Sequence, residues 1–132
     1  MITIIYAALL GLLYVGLTLF VVHGRWTYKI GLGDGNNSAM QRRIRMHGNF
    51  AEYVPLALIL LLLIDYAEYP GIIVHGLGIA LVVGRIAHAV GIHESPNFTI
   101  QRFIGMVLTL GMILVSSILL LWKFVALEMI GF

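Results

Sequence analysis

The stretch from Ile2 to Val22 carries no charged side chain, and neither does the stretch from Phe103 to Trp122. A helix crosses the hydrocarbon core of a bilayer with about 20 mostly apolar residues, so each stretch is long enough to span it. A soluble domain of this size has no interior large enough to hide two such helices. The 132 residues are 61% apolar and 11% charged, against roughly 45–50% and roughly 25% in soluble domains. The sequence therefore describes one integral membrane domain. The first stretch lacks a basic leader and a small-residue cleavage pattern, and reads as a retained helix. Trp122 and Lys123 close the last stretch in the manner of interfacial anchors.

The middle of the chain is less apolar. The uncharged run Tyr53–Ile64 amounts to about 18 Å of helix, and the run Gly71–Gly84 to about 21 Å. Each becomes a full span only by taking in polar residues at one end. For the first these run from Arg45 to Glu52; for the second they are Arg85 and His88. The short connector Asp65–Pro70 makes the two helices antiparallel neighbours, so both polar extensions fall at one membrane face, partly at hydrocarbon depth. Half-spans or interfacial helices are the alternative, and a less economical one. The reading is an all-α bundle of four transmembrane helices in a single domain, 1–132, with spans near 2–24, 39–65, 71–91 and 100–123.

Arg25, Lys29, Arg42, Arg43, Arg45, Arg85 and Arg102 lie in or beside the loops after the first and third spans. Asp65, Glu68, Lys123 and Glu128 lie at the other end. Basic loops stay on the cytoplasmic side, which places both termini opposite. The first loop, Gly31–Ser38, is a glycine-rich connector with Ser38 as the expected N-cap of the second helix. It follows no strand and lacks the ending of a phosphate loop. A formal net charge of +2 gives no reason to expect nucleic acid. With no cysteine, the chain brings no thiol nucleophile, disulfide or thiolate metal site of its own. The histidines have no metal-ligand spacing, and no bound metal is expected.

Arg42, Arg45, Asn49 and Glu52 are spaced three, four and three apart and form one polar stripe on the second helix. Charges at membrane depth are costly unless paired or facing a wet cavity. The stripe is therefore either an ion-pair network that fixes helix packing or a pocket for a charged ligand. Arg45 and Glu52 are nearly two turns apart, so Asn49 is expected to bridge them. Pro55 frees the carbonyl of Ala51 and is expected to bend the helix beside the stripe. Taken alone, Arg85 reads as a snorkelling arginine and His88 as a packing residue or an acid–base group. Gly76, Ala80 and Gly84 recur every fourth residue and predict a tight helix neighbour.

The pattern Arg45-x-x-x-Asn49-x-x-Glu52-Tyr53-x-Pro55 resembles the signature of the MAPEG family, the membrane-associated proteins in eicosanoid and glutathione metabolism. The order of spans, the basic first loop and the Arg85 region are also similar, as in a short bacterial member of the inner membrane. The resemblance implies a homotrimer of four-helix protomers that holds glutathione between subunits near the cytosolic face. It implies that Arg45, Asn49, Glu52, Tyr53 and Arg25 contact glutathione, with Arg85 and His88 beside them, and that Arg102 activates the thiol. Two tyrosines late in the third span of the leukotriene-forming enzymes are replaced here by His88 and Ile92, which speaks against eicosanoid substrates.

The implied activity is glutathione S-transfer to lipophilic electrophiles arriving from membrane lipid, with glutathione peroxidase activity as an extension. A non-catalytic lipid- or glutathione-binding scaffold is the competing reading. A small multidrug exporter is a third, disfavoured because the first span has no acidic residue to exchange protons for cations.

Overall fold

The computed structural model describes residues 1–131. Four helices account for nearly all of them: α1 (Thr3–Tyr28), α2 (Ser38–Tyr66), α3 (Gly71–Glu94) and α4 (Ile100–Ile130). All four are long and apolar enough to cross a membrane. Among the described residues there is no strand. The chain is an all-helical, four-span membrane protein.

Helices α1 and α4 run beyond the spans read from the sequence. No glycine or proline follows Gly24 before Tyr28, so α1 continues until Lys29 turns left-handed and donates its N–H back to Arg25. In the same way α4 continues past Lys123 to a left-handed Gly131. The N-cap of α2 is Asn37 and not Ser38: the Asn37 side chain accepts from the Met40 N–H at 2.9 Å. Both residue types cap well, and Asp34 decides between them by drawing the Asn36 and Asn37 N–H groups into a turn one residue earlier. Helix α2 runs unbroken through Pro55.

Helices α2 and α3 each touch all three other helices, whereas α1 and α4 share no contact among the described residues. The core lies along this central pair, with Val54, Ala57, Leu61 and Ile64 of α2 facing Val74 and Leu81 of α3. Most other apolar side chains point outward, as expected where lipid replaces water. The closest approach joins α3 to α4. A Cβ on Gly105 would stand 2.5 Å from the Gly84 carbonyl oxygen and 2.6 Å from the His88 nitrogen. Of the expected small-residue stripe, Gly84 meets this neighbour and Ala80 borders a groove shared with it, whereas Gly76 faces open space. Gly78, off the stripe, receives the Tyr6 ring of α1.

The acidic end of the bundle is tied internally. Asp65 accepts from the Thr3 N–H at 2.7 Å. The Lys123 ammonium donates to the Ala67 carbonyl. The Tyr69 hydroxyl donates to the Leu119 carbonyl at 2.6 Å. Three hydrogen bonds thus tie α1 and α4 to the end of α2 and the connector after it.

Candidate functional site

On α2 the spacing of Arg45, Asn49 and Glu52 places all three along one side of the helix, at the edge between core and surface. Arg45 Nη1 lies 3.4 Å from Glu52 Oε1, and both side chains are more than half exposed. The expected bridge through Asn49 is therefore replaced by a direct ion pair. Gly48 explains the difference: the Arg45 guanidinium lies 3.7 Å from where its Cβ would be, so the arginine extends along the helix over a position without a side chain. Exposed pairs of this kind are worth about 0.2–1 kcal/mol. Such a pair is easily exchanged for the charges of a zwitterionic ligand.

Asn49 turns inward instead. Its Oδ1 accepts from Arg85 Nη1 at 2.6 Å, and Arg85 Nε donates to Thr109 Oγ1 at 2.9 Å. Thr109 in turn donates to the Gly105 carbonyl at 2.8 Å. Arg85 is 2% exposed, so it does not snorkel. Its guanidinium also lies 3.8 Å from Met106 Sδ through Nη2 and 5.6 Å from the centroid of the half-buried Tyr53 ring. Among the described residues it has no carboxylate partner. His88, one turn further along α3, is buried against Gly105 and bonded to nothing among the described residues. The central network thus joins α2, α3 and α4 through neutral acceptors around one buried cation.

A cleft of about 220 Å³ opens at the basic end, lined by Gln41, Arg42, Arg45, Ile92, Ser95, Pro96 and Arg102. Three arginines from two helices face one space that no carboxylate lines. Arg42 is held by a bond to Ser38 Oγ at 2.9 Å. Arg102 sits in the first turn of α4, where Thr99 accepts from its backbone N–H at 3.3 Å. Gly91 admits that turn: a Cβ there would meet Thr99 Oγ1 at 2.5 Å and the Arg102 nitrogen at 2.6 Å.

Arg25 stands apart from this cleft within one protomer. Its Nη1 donates to the Gly33 carbonyl at 3.0 Å and to that of Ile30 at 3.4 Å, holding the first loop. Arg43 also faces elsewhere, donating to the Phe20 carbonyl at 3.0 Å and stacking 3.9 Å above the Phe20 ring, which ties α1 to α2. An apolar groove of about 390 Å³ runs between α1 and α2, from Tyr14 and Phe50 to Pro55 and Leu58. Its lining includes Phe50, the chain neighbour of Asn49.

The structure thus joins Arg45 to Glu52, Asn49 to Arg85 beside Tyr53, and Arg42, Arg45 and Arg102 around one cleft. It leaves Arg25 in its own loop. Thr109, Gly105, Met106 and Gln41 were not singled out from the sequence. A hydroxyl four residues after a glycine inside an uncharged span was the available signal for the first two. Among the described residues no group of three His, Asp or Glu is placed to hold a metal ion.

The chain matches the model of the MAPEG family over residues 3–122. It is also similar to the inner membrane protein YecN of Escherichia coli K12 and of Escherichia coli O6:H1. Each is 38% identical over 94 residues, covering 71% of this chain and 72% of the relative.

Proposed function

We propose, from the premise that the chain belongs to the MAPEG family, that it is a glutathione S-transferase of a bacterial inner membrane. The observation that carries this reading is the cleft where Arg42, Arg45 and Arg102 converge without a carboxylate. Arg45 is paired with Glu52, but Arg42 and Arg102 bring two further guanidinium groups with no carboxylate partner among the described residues, and arginine suits carboxylates through bidentate, charge-assisted bonds. Glutathione carries two carboxylates and one ammonium. In this reading Arg45 exchanges Glu52 for a glutathione carboxylate, and Glu52 takes the ammonium, with Asn49 and Tyr53 alongside.

Reaction requires the thiolate, and a free thiol has a pKa of about 8.5. A guanidinium held close in a partly dry site favours the ionised sulfur. Lowering that pKa by about two corresponds to roughly 2.7 kcal/mol. Arg102 has this role: it is half-buried, fixed by its helix turn, and borders the cleft. The sulfur then forms a bond to an electrophilic carbon as the leaving group departs. A lipophilic electrophile reaches it laterally from the bilayer. In peroxidase action the same thiolate takes the terminal oxygen of a lipid hydroperoxide, releasing the lipid alcohol, and a second glutathione then displaces water to form the disulfide.

A cleft of about 220 Å³ holds only part of a tripeptide, against roughly 300–1,000 Å³ for ligand pockets that enclose their guests. This supports a homotrimer in which a neighbouring copy, through its Arg25, completes the site. The basic end faces the cytoplasm under the positive-inside rule. A second reading, a lipid- or glutathione-binding scaffold without turnover, is favoured by the apolar groove beside Phe50, which suits an acyl chain equally well. Conjugation of glutathione to a lipophilic aryl halide separates the two. The enzyme reading expects turnover that Arg102→Ala abolishes while glutathione affinity stays within a few-fold. No turnover by the parent protein, with glutathione still bound, supports the scaffold.

A further inference from the structure

Arg85 offers only donors, five N–H groups and no acceptor. Whatever part of Asn49 faces Arg85 Nη1 at 2.6 Å must therefore be the amide oxygen. That single bond fixes which way the amide points, because the carbonyl and the NH2 group diverge from one trigonal carbon to different sides. The NH2 group is left without a partner among the described residues. It is not sealed in the core either: the Ser116 hydroxyl is the one side-chain polar atom both enclosed and unpaired among the described residues. The amide nitrogen thus keeps some accessible surface although Asn49 is only 9% exposed. Along α2, Asn49 stands between Arg45, four residues before it, and Glu52, three residues after, whose ion pair passes over Gly48.

Resting on the glutathione reading above, we infer that Arg85 is a positioning residue that locks Asn49 as a hydrogen-bond donor, making the site selective for a carboxylate oxygen there. At 2% exposure Arg85 touches no ligand itself. Its positive charge, with no carboxylate beside it, adds a favourable potential for an anion one residue away. Thr109 holds the other edge of the guanidinium at 2.9 Å, so the orientation is set from α4 as well as α3. The result is an ordered row on α2: cation at Arg45, neutral donor at Asn49, anion at Glu52. A carboxylate and an adjacent ammonium on one ligand match that row in one direction only.

The test compares reduced glutathione with glutathione in which both carboxyl groups are converted to primary amides, titrated by calorimetry into the detergent-purified full chain. The substitution Asn49→Asp keeps an oxygen for Arg85 and turns the outward donor into an acceptor. Its thermal midpoint is expected at or above that of the parent, since the buried cation gains a counter-charge. Its preference for the acid over the amide ligand is expected to fall at least fivefold relative to the parent. The added negative charge lowers this ratio by itself, so the deciding reading is the diamide, whose carbonyl oxygens still accept a hydrogen bond: its binding is expected to weaken, and unchanged or tighter diamide binding overturns the inference. Should Asn49→Asp fail to fold, Arg85→Met gives the same readout: the lost positive charge favours the cationic diamide, so weaker diamide binding reports the lost orientation, and unchanged or tighter diamide binding again overturns the inference. If the parent protein binds neither ligand, the glutathione reading falls and this inference with it. If the parent binds glutathione and diamide binding does not weaken in the variant, only the orientation is wrong.

Discussion

The carbonyl oxygen of Gly84 lies 2.5 Å from the position that a Cβ on Gly105 would take. This backbone approach sets the distance between α3 and α4, and through it the places of Arg85, Thr109 and Arg102. Backbone leaves a side chain nowhere to go, so Gly105→Ala forces the helices apart at a cost of about 1–3 kcal/mol or more. A lower thermal midpoint in detergent, together with weaker glutathione binding, is the expected outcome. Gly16, with nothing within 4 Å, is the control. Gly16→Ala is expected to be neutral or stabilising by up to about 1 kcal/mol, as for glycine removed from a helix interior.

Arg45→Ala and Glu52→Ala break an exposed ion pair. Pairs of this exposure contribute about 0.2–1 kcal/mol, so each variant is expected to unfold within a few degrees of the parent. Each also removes one proposed glutathione contact, and the affinity is expected to fall at least tenfold. Thermal denaturation and calorimetry on the same samples check both halves. A large stability loss without a binding defect would make the pair a packing device only.

Much of this architecture was legible in the chain. Two uncharged runs and two runs too short to cross unaided were enough for four antiparallel spans with a polar end. The helical spacing of Arg45, Asn49 and Glu52 was enough to put them along one side. What was not legible depended on contacts between helices or on a single missing side chain. The direct Arg45–Glu52 pair required Gly48 beneath it. The burial of Arg85 required Thr109, which lies on another helix and is one polar residue in an apolar span. The tie from Arg43 to the Phe20 carbonyl depended on the register of α1 against α2, which no local pattern encodes. Asn37 and Ser38 are both good caps, and only the turn at Asp34 separated them.

Arg85 is a desolvated cation whose partners are neutral. Arg85→Met removes the desolvation cost of the charge but leaves the Asn49 oxygen without its donor, a loss of about 1–3 kcal/mol, so the variant is expected to unfold within a few degrees of the parent while binding glutathione less tightly. Differential scanning fluorimetry with and without glutathione measures both. A loss of several degrees without ligand would mean that the guanidinium holds the three helices together in its own right.

The most direct measurement is the titration of reduced glutathione into the purified protein, followed by calorimetry and by the ultraviolet absorbance of the thiolate. Saturable heat is expected, with a thiolate band at neutral pH that disappears in Arg102→Ala. Absence of both heat and band at millimolar glutathione would contradict the assignment of the arginine-lined cleft to this tripeptide.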